Sequence, residues 1–480
     1  SGDGSDVVEG EAGNDKLDVS GAAADDDFAI SANGARASIS HNFGVALLDV
    51  NDVERLFFRA GDGADEFIVN DLAGTSVRRI DIDLSGKNGV GQNDNVAVFA
   101  TGGADAVDVG SVNGIAFVKG LAADTFVHAA TMQDRLTIFG GSDNDVIDAS
   151  GLAAGLLGLT LQGGFGNDLL TGSAGNDVIT GGDGNDIALL GAGNDRFAWV
   201  PGDDNDVIEG QAGNDLLDFS GSNVQENIAV SANGARVTFF RDVASVVMDL
   251  HQVERLNYSA VGGADTIVVN DLSGTGVRQV AIDLASLAGG ATGDLQVDRV
   301  FVDGTKAADT IAVTGNLARA VIDGLSAQVV VKVLEANDQL DVVGGSGRDD
   351  ISANVAFATI RMEGGLGNDI LTGGLGNDLF VFNTALDGQA NVDTIRNFNA
   401  LQDTMLLDDF FFAGIGAAGA LAASAFHIGS AATDANQRII YDDATGDLFF
   451  DSDGSGGNAA VLFAHLAPGL PMTENDFTII

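Results

Sequence analysis

Short runs of alternating apolar residues recur along this chain, and an acidic residue introduces each one. Glu54 precedes RLFF, Asp65 EFIV, Asp94 NVAVF, Asp105 AVDV, Asp134 RLTIF and Asp145 VIDA. The runs favour Val, Ile and Phe, alternate with polar residues and end at glycine-rich turns, which predicts strands that bury one face. Successive intervals between these acids are 11, 29, 11, 29 and 11, and in a second series, from Glu254 to Asp349, they are 11, 33, 11, 29 and 11. A 40-residue period governs the middle of each series. Such a period suits about two turns of a solenoid.

The two series are copies of one unit. SANGAR at Ser31–Arg36 returns at Ser231–Arg236, and VERL at Val53 returns at Val253. GADEFIVNDLAGTSVRRIDIDL, from Gly63, is answered by GADTIVVNDLSGTGVRQVAIDL from Gly263. The offset is 200, grows to 204 between Asp94 and Asp298, and falls to 201 between Asp168 and Asp369. This places one copy in residues 1–200, a second in 201–381, and a different C-terminal region in 382–480.

Between Gly163 and Asp218 the pattern tightens into six nine-residue units: GGFGNDLLT, GSAGNDVIT, GGDGNDIAL, LGAGNDRFA, PGDDNDVIE and GQAGNDLLD. Only Trp199 and Val200 interrupt them. In the consensus G-G-x-G-N-D-x-U-x, glycine supplies positive φ and tight turning. Asn tolerates the left-handed region. The Asp sets a carboxylate beside backbone carbonyls, and x-U-x is a minimal strand with one inward apolar side chain. A turn of carboxylates and carbonyls is a hard-oxygen site, which suits calcium. Further units lie at Ser1–Glu9, Gly10–Asp18, Gly140–Asp148, Gly344–Ser352, Gly364–Thr372 and Gly373–Val381.

These nonapeptides resemble those of the repeats-in-toxin (RTX) family. The resemblance implies an all-β fold: a right-handed parallel β-roll or β-solenoid in two tandem copies, with a C-terminal β-rich cap that carries a secretion signal. It also implies multiple Ca2+ ions between turns that lie two nonapeptides apart, held by both Asp side chains and by loop carbonyls. Asp168 would then pair with Asp186 and Asp177 with Asp195; the insertion lengthens the next pairs, Asp186 with Asp206 and Asp195 with Asp215. The turn glycines of these sites are Gly164, Gly166, Gly175, Gly184, Gly193 and Gly213, and the outlying units add Asp6, Asp15, Asp145, Asp349, Asp369 and Asp378. The degenerate turns at Asp65 and Asp265 keep the acid and some glycine, and read either as weak calcium sites or as plain polar turns. For the middle of each copy two readings stand: solenoid coils that have lost the metal loop, favoured by the shared register, or separate β-sandwiches.

Composition narrows the function. The net charge is −48, from 70 acidic and 22 basic residues, so a compact body needs cations to offset self-repulsion. With 45% hydrophobic residues the chain is able to form a core. No basic stripe offers a nucleic-acid surface. Cysteine is absent, which removes disulfides and thiol nucleophiles. Residues 410–433 carry no formal charge but are mostly Ala and Gly, and read as a loop or helix rather than a membrane span. His41, His128, His251, His427 and His465 are scattered; HExxH and G-x-S-x-G are missing, so no catalytic role is assigned and the chain is not expected to be an enzyme. Trp199 is expected to pack inside a widened coil rather than to stack on a sugar.

VDTIRNFNALQDTMLLDDF, from Val392, resembles the segment that closes RTX rolls in serralysin-like exported proteins, and IIYDDATGDLFFD at 439–451 reads as a hairpin. The ending Asn475-Asp476-Phe477-Thr478-Ile479-Ile480 resembles the uncleaved signal of type I secretion substrates. Asp451 and Asp453 form either an oxygen-rich turn or a hairpin closure. The chain opens inside a repeat without Met, as expected of a fragment or processed product. The function expected is a secreted, calcium-folded, rod-like structural or surface module (adhesin, matrix or surface-layer-like). Its partners would be calcium ions, a type I exporter, and a cell surface or further copies of itself. The alternative is the export and folding module of a larger RTX protease or lipase.

Overall fold

A computed structural model describes residues 5–42, 46–86, 92–355 and 359–480. The chain divides into two compact units, Ser1–Phe219 with Val246–Arg255, and Ser220–Ser245 with Leu256–Ile480. Almost every element is a strand.

In the first unit the chain alternates between two sheets. One sheet runs in parallel from Glu66–Val69 through Asn95–Phe99, Arg135–Ser142, Gly158–Phe165 and Asp177–Asp183 to Arg196–Trp199. The other runs from Val146–Gly151 through Leu169–Thr171 and Ile187–Leu189 to Val207–Glu209, again in parallel. The degenerate coils and the nonapeptide coils thus share the same sheets, which rules out separate sandwiches for the middle of this unit. The x-U-x strands work as their pattern predicts. Leu170, Ile179, Ala188, Phe197, Ile208 and Leu217 are all 0% exposed, while the preceding Leu169 and Ile187 face outward. Burying a large aliphatic or aromatic side chain stabilises by about 1.5–3 kcal/mol, so a three-residue strand anchors its coil with one residue.

The 40-residue period proves to be one coil, not two. Asn95–Phe99 pairs directly with Arg135–Ser142, and Ala106–Val112 with Val146–Gly151, each at an offset of 40. The added length is an antiparallel excursion. Ala106–Val112, Ile115–Lys119 and Asp124–His128 form a three-stranded meander, and its last strand pairs in parallel with Arg79–Asp83 of the coil before. A second meander joins Asp27–Asn33, Arg36–His41 and Ala46–Asn51. Parallel strands need long crossovers, so antiparallel returns are the compact way to spend extra chain without leaving the sheet.

The second unit repeats the plan. Asn227–Asn233 pairs antiparallel with Arg236–Arg241, as Asp27–Asn33 does with Arg36–His41. Thr310–Asn316, Arg319–Asp323 and Gln328–Lys332 form the later meander. The coils continue past Val381: Asp393–Arg396 pairs in parallel with Ile370–Thr372, and Thr404–Leu407 with Leu379–Phe382. The expected hairpin is Ile439–Asp442 with Asp447–Phe450, and Phe477–Ile479 lies parallel to Thr404–Leu407. Residues 410–433 form turns, the short strands Gly419–Ala420 and Phe426–Ile428 and a single 3-10 turn at Ala423–Ala425, and no described helix is long and apolar enough to cross a membrane. Asp453 closes its own loop, accepting the Gly457 N–H at 2.9 Å. Trp199 is buried, stacked on Phe219 at 3.9 Å, and donates from Nε1 to the Asp204 carbonyl at 2.9 Å.

Candidate metal centre

Each nonapeptide Asp sits where the turn enters its strand, and parallel pairing brings the equivalent Asp of the next coil beside it. The Asp168 N–H donates to Asp186 Oδ1 at 2.7 Å, and the Asp186 N–H to Asp206 Oδ1 at 2.9 Å. Along the opposite edge, Asp177 N–H reaches Asp195 Oδ1 at 2.8 Å and Asp195 N–H reaches Asp215 Oδ1 at 2.9 Å. All four expected pairs are therefore adjacent, the lengthened pairs as closely as the others. The Asn before each Asp bonds the other way: Asn185 N–H donates to Asn167 Oδ1 at 2.8 Å, and Asn194 N–H to Asn176 Oδ1 at 2.8 Å. None of these Asn residues has positive φ. Their role is this inter-coil bond, not the left-handed backbone expected from sequence, which the glycines supply (Gly164 φ 115°, Gly166 φ 127°).

The second carboxylate oxygen is left bare. Oδ2 of Asp15, Asp145, Asp168, Asp186, Asp195, Asp206, Asp215, Asp349 and Asp369 is buried without a hydrogen-bond donor, and so is Oδ2 of Asp65 and Asp265. A buried unpaired carboxylate oxygen is costly unless a cation meets it. The glycines leave room for one. A Cβ on Gly163 or Gly181 would strike Asp168 Oδ2 or Asp186 Oδ2, and a Cβ on Gly182 or Gly184 would strike the carbonyl oxygen of Gly164 or Gly166 one coil back. Among the described residues no three His, Cys, Asp or Glu side chains converge as a metal cluster. Main-chain carbonyls are the further oxygens beside these turns, and carboxylate plus carbonyl oxygens are donors calcium takes.

Burial pushes these carboxyls up from the ordinary 3.8, to about 6 for Asp168 and Asp215, about 7 for Asp186 and Asp195, and about 8 for Asp206. Neighbouring carboxylates add to the rise, while the backbone N–H bonds oppose it. The metal-free fold therefore holds protons that the unfolded chain has lost. Its favourable contribution is complete below about pH 3.8 and disappears as pH rises through about 6 to 8. Metal-stripped protein is thus expected to show more β-structure by circular dichroism at pH 5 than at pH 8, and calcium binding to release protons. A β-signal that grows from pH 5 to pH 8 without metal contradicts this.

A model of the RTX calcium-binding nonapeptide repeat (4 copies) matches residues 1–23, 137–151, 162–197, 202–223 and 361–383. The chain carries RTX calcium-binding repeats. No curated protein matches it. Those RTX segments contain the bare carboxylates from Asp145 to Asp215, together with Asp15 and Asp369; Asp349, Asp65 and Asp265 lie outside them.

Three of the sequence-predicted RTX acids differ from the rest. Asp177 Oδ2 accepts its own turn's Ser173 N–H at 2.5 Å, and Asp378 Oδ2 the Gly374 N–H at 2.6 Å. Gly175 belongs to the Ser173 turn and donates its N–H to Ser173 Oγ at 2.9 Å. Asp6 is exposed, and residues 1–4 of its turn lie outside the described residues. Sequence reasoning also missed how far the rows extend. Asp105 N–H donates to Asp145 Oδ1 at 2.7 Å, Asp94 N–H to Asp134 Oδ1 at 3.0 Å, Asp215 N–H to Glu254 Oε2 at 2.9 Å, and Asp369 N–H to Asp393 Oδ1 at 3.0 Å. The signal is present as the acid before each apolar run; it marks strand entry and does not by itself announce a continuous row.

Proposed function

We propose that this chain is an exported structural or surface protein whose RTX coils fold on meeting calcium outside the cell. The observation that carries this reading is the row of buried carboxylates whose Oδ2 atoms have no protein donor, repeated in both copies. When bound, calcium supplies the positive charge and oxygen-seeking coordination that these atoms lack. The chain's own residues do the rest. Asp N–H groups lock each Oδ1, Asn side chains tie the coils in the reverse direction, and glycines keep the cradle open. In cytosol poor in calcium the facing acids oppose folding, which keeps the chain threadable. Outside, calcium at about 10⁻³ M matches the range of about 10⁻⁴ to 10⁻³ M typical of extracellular sites. Duplication of an entire coil system, meanders included, supports a role for the folded body itself.

Export is assigned to residues 382–480, on the resemblance of Val392–Phe410 and of Asn475–Ile480 to exported RTX proteins. Expressed beside a type I exporter, the full chain is expected in the medium, and a chain ending at Val381 is expected to stay in the cells. Equal secretion of both removes the assignment.

A further inference from the structure

The turn acids divide into two kinds according to the residue four positions earlier. Every turn acid with a bare Oδ2 follows a residue of positive φ: glycine at Gly61, Gly141, Gly164, Gly182, Gly191, Gly202, Gly345 and Gly365, but Glu11 (62°), Gln211 (66°) and Val261 (72°) in three turns. That backbone sign turns the N–H away from the carboxylate. In several other turns that residue has ordinary φ and its N–H closes the turn onto the acid. Thr101 N–H donates to Asp105 Oδ2 at 2.7 Å, Thr305 to Asp309 Oδ2 at 2.7 Å, and Ser173 to Asp177 Oδ2 at 2.5 Å. A β-branched residue such as Val261 at φ 72° is a strained outlier, which native structures retain where the surroundings require it.

We propose that the equivalent turns of Asp65 and Asp265, outside the matched repeats, are two further calcium sites, and that the turns closed by Thr101 and Thr305 are not. This rests on the reading of the RTX coils as calcium-folded. Asp65 and Asp265 are 2% and 1% exposed, with Oδ1 engaged by the N–H of Asp26 (2.9 Å) and Glu226 (2.8 Å) and Oδ2 bare. Carbonyls crowd each turn from the previous coil. A Cβ on Gly61 would strike the Ala22 carbonyl, and one on Gly263 would come within 2.6 Å of the Val224 carbonyl oxygen. The preceding acid in each row already has a basic side-chain partner: His41 Nε2 lies 2.7 Å from Asp26 Oδ1, and Arg241 Nε donates to Glu226 Oε1 at 2.9 Å. His41 and Arg241 hold equivalent places in the two copies, as do Asp26 and Glu226, so both copies engage the first acid with a side chain and leave Oδ2 of the next one open. A cleft lined by Val224, Val261, Gly263 and Asp294 reaches the second turn from solvent.

Crystals of the full chain grown in calcium and soaked in terbium should show anomalous peaks beside Asp65 and Asp265 as well as along Asp168–Asp215. Peaks along Asp168–Asp215 alone overturn this proposal and leave the calcium-folding reading intact; peaks at neither place overturn both. In equilibrium dialysis, the Asp65→Asn/Asp265→Asn double variant should bind two fewer calcium ions than the parent, and Asp105→Asn/Asp309→Asn the same number. Unchanged binding by the first variant also overturns the proposal.

Discussion

Removal of calcium at neutral pH is expected to abolish most of the β-structure of this protein, and its return to restore it, with a midpoint at about 10⁻⁴ to 10⁻³ M. The reason is electrostatic. Asp168, Asp186, Asp195, Asp206 and Asp215 are each no more than 2% exposed, and each keeps one oxygen with no donor. Taking an ion out of water costs several kcal/mol even after relaxation, whereas a whole domain is stable by only about 5–15 kcal/mol. A few such carboxylates, uncompensated, exceed that margin. Ordering a backbone with 67 glycines adds to the opposition, since glycine loses the most conformational freedom on folding. Protonation lessens the cost only as the solution is acidified. Circular dichroism during calcium titration of metal-stripped protein at pH 7.5 checks this; a full β-spectrum in chelator would sink the idea.

Replacing Asp186 is expected to be among the most damaging single changes, because it stands in the middle of a row. Its Oδ1 accepts the Asp168 N–H, its own N–H serves Asp206, and its Oδ2 faces the glycine cradle. Asp186→Ala strands the buried Asp168 N–H, at about 1–3 kcal/mol. It also removes a charged ligand, and a site with Kd of about 10⁻⁴ M at 10 mM calcium contributes about 2.7 kcal/mol. Asp186→Asn keeps the Oδ1 acceptor and should lose only the calcium-dependent part. Asp148→Ala, at an exposed acid of the outlying unit Gly140–Asp148, should shift stability by no more than about 0.5 kcal/mol. Thermal melts at 10 mM calcium separate the three; equal losses for Asp186→Ala and Asp148→Ala would remove the row from the account.

Much of this was legible in the sequence, because the repeat fixes local geometry so tightly. The register of Asp168 with Asp186, the inward residue of each x-U-x strand, and the burial of Trp199 follow from nine-residue periodicity and from the single interruption in it. The middle of each copy was less legible. Ile115–Lys119 and Asp124–His128 carry the same alternation whether they pair parallel or antiparallel, since side-chain period reports burial and not strand direction. That is why the longer period suits two plain coils as well as one coil with a meander. The backbone sign that opens or closes a turn was partly visible, as Gly against Ser or Thr. At Glu11, Gln211 and Val261 it was hidden, because side chains that avoid positive φ occupy it.

The bond from one Asp N–H to the next Asp Oδ1 spans 18 residues at Asp168, 20 at Asp186, 23 at Asp145, 25 at Asp378 and 40 at Asp105, yet its length varies only between 2.7 and 3.0 Å. Register is thus written at the turn and is indifferent to how much chain lies between turns. Such a body can lengthen by whole coils, or acquire a meander within one coil, without renegotiating its neighbours. New surface can be inserted between two turns of a coil, as Ala106–His128 is between Asp105 and Asp134, while the rows of turn acids keep their spacing.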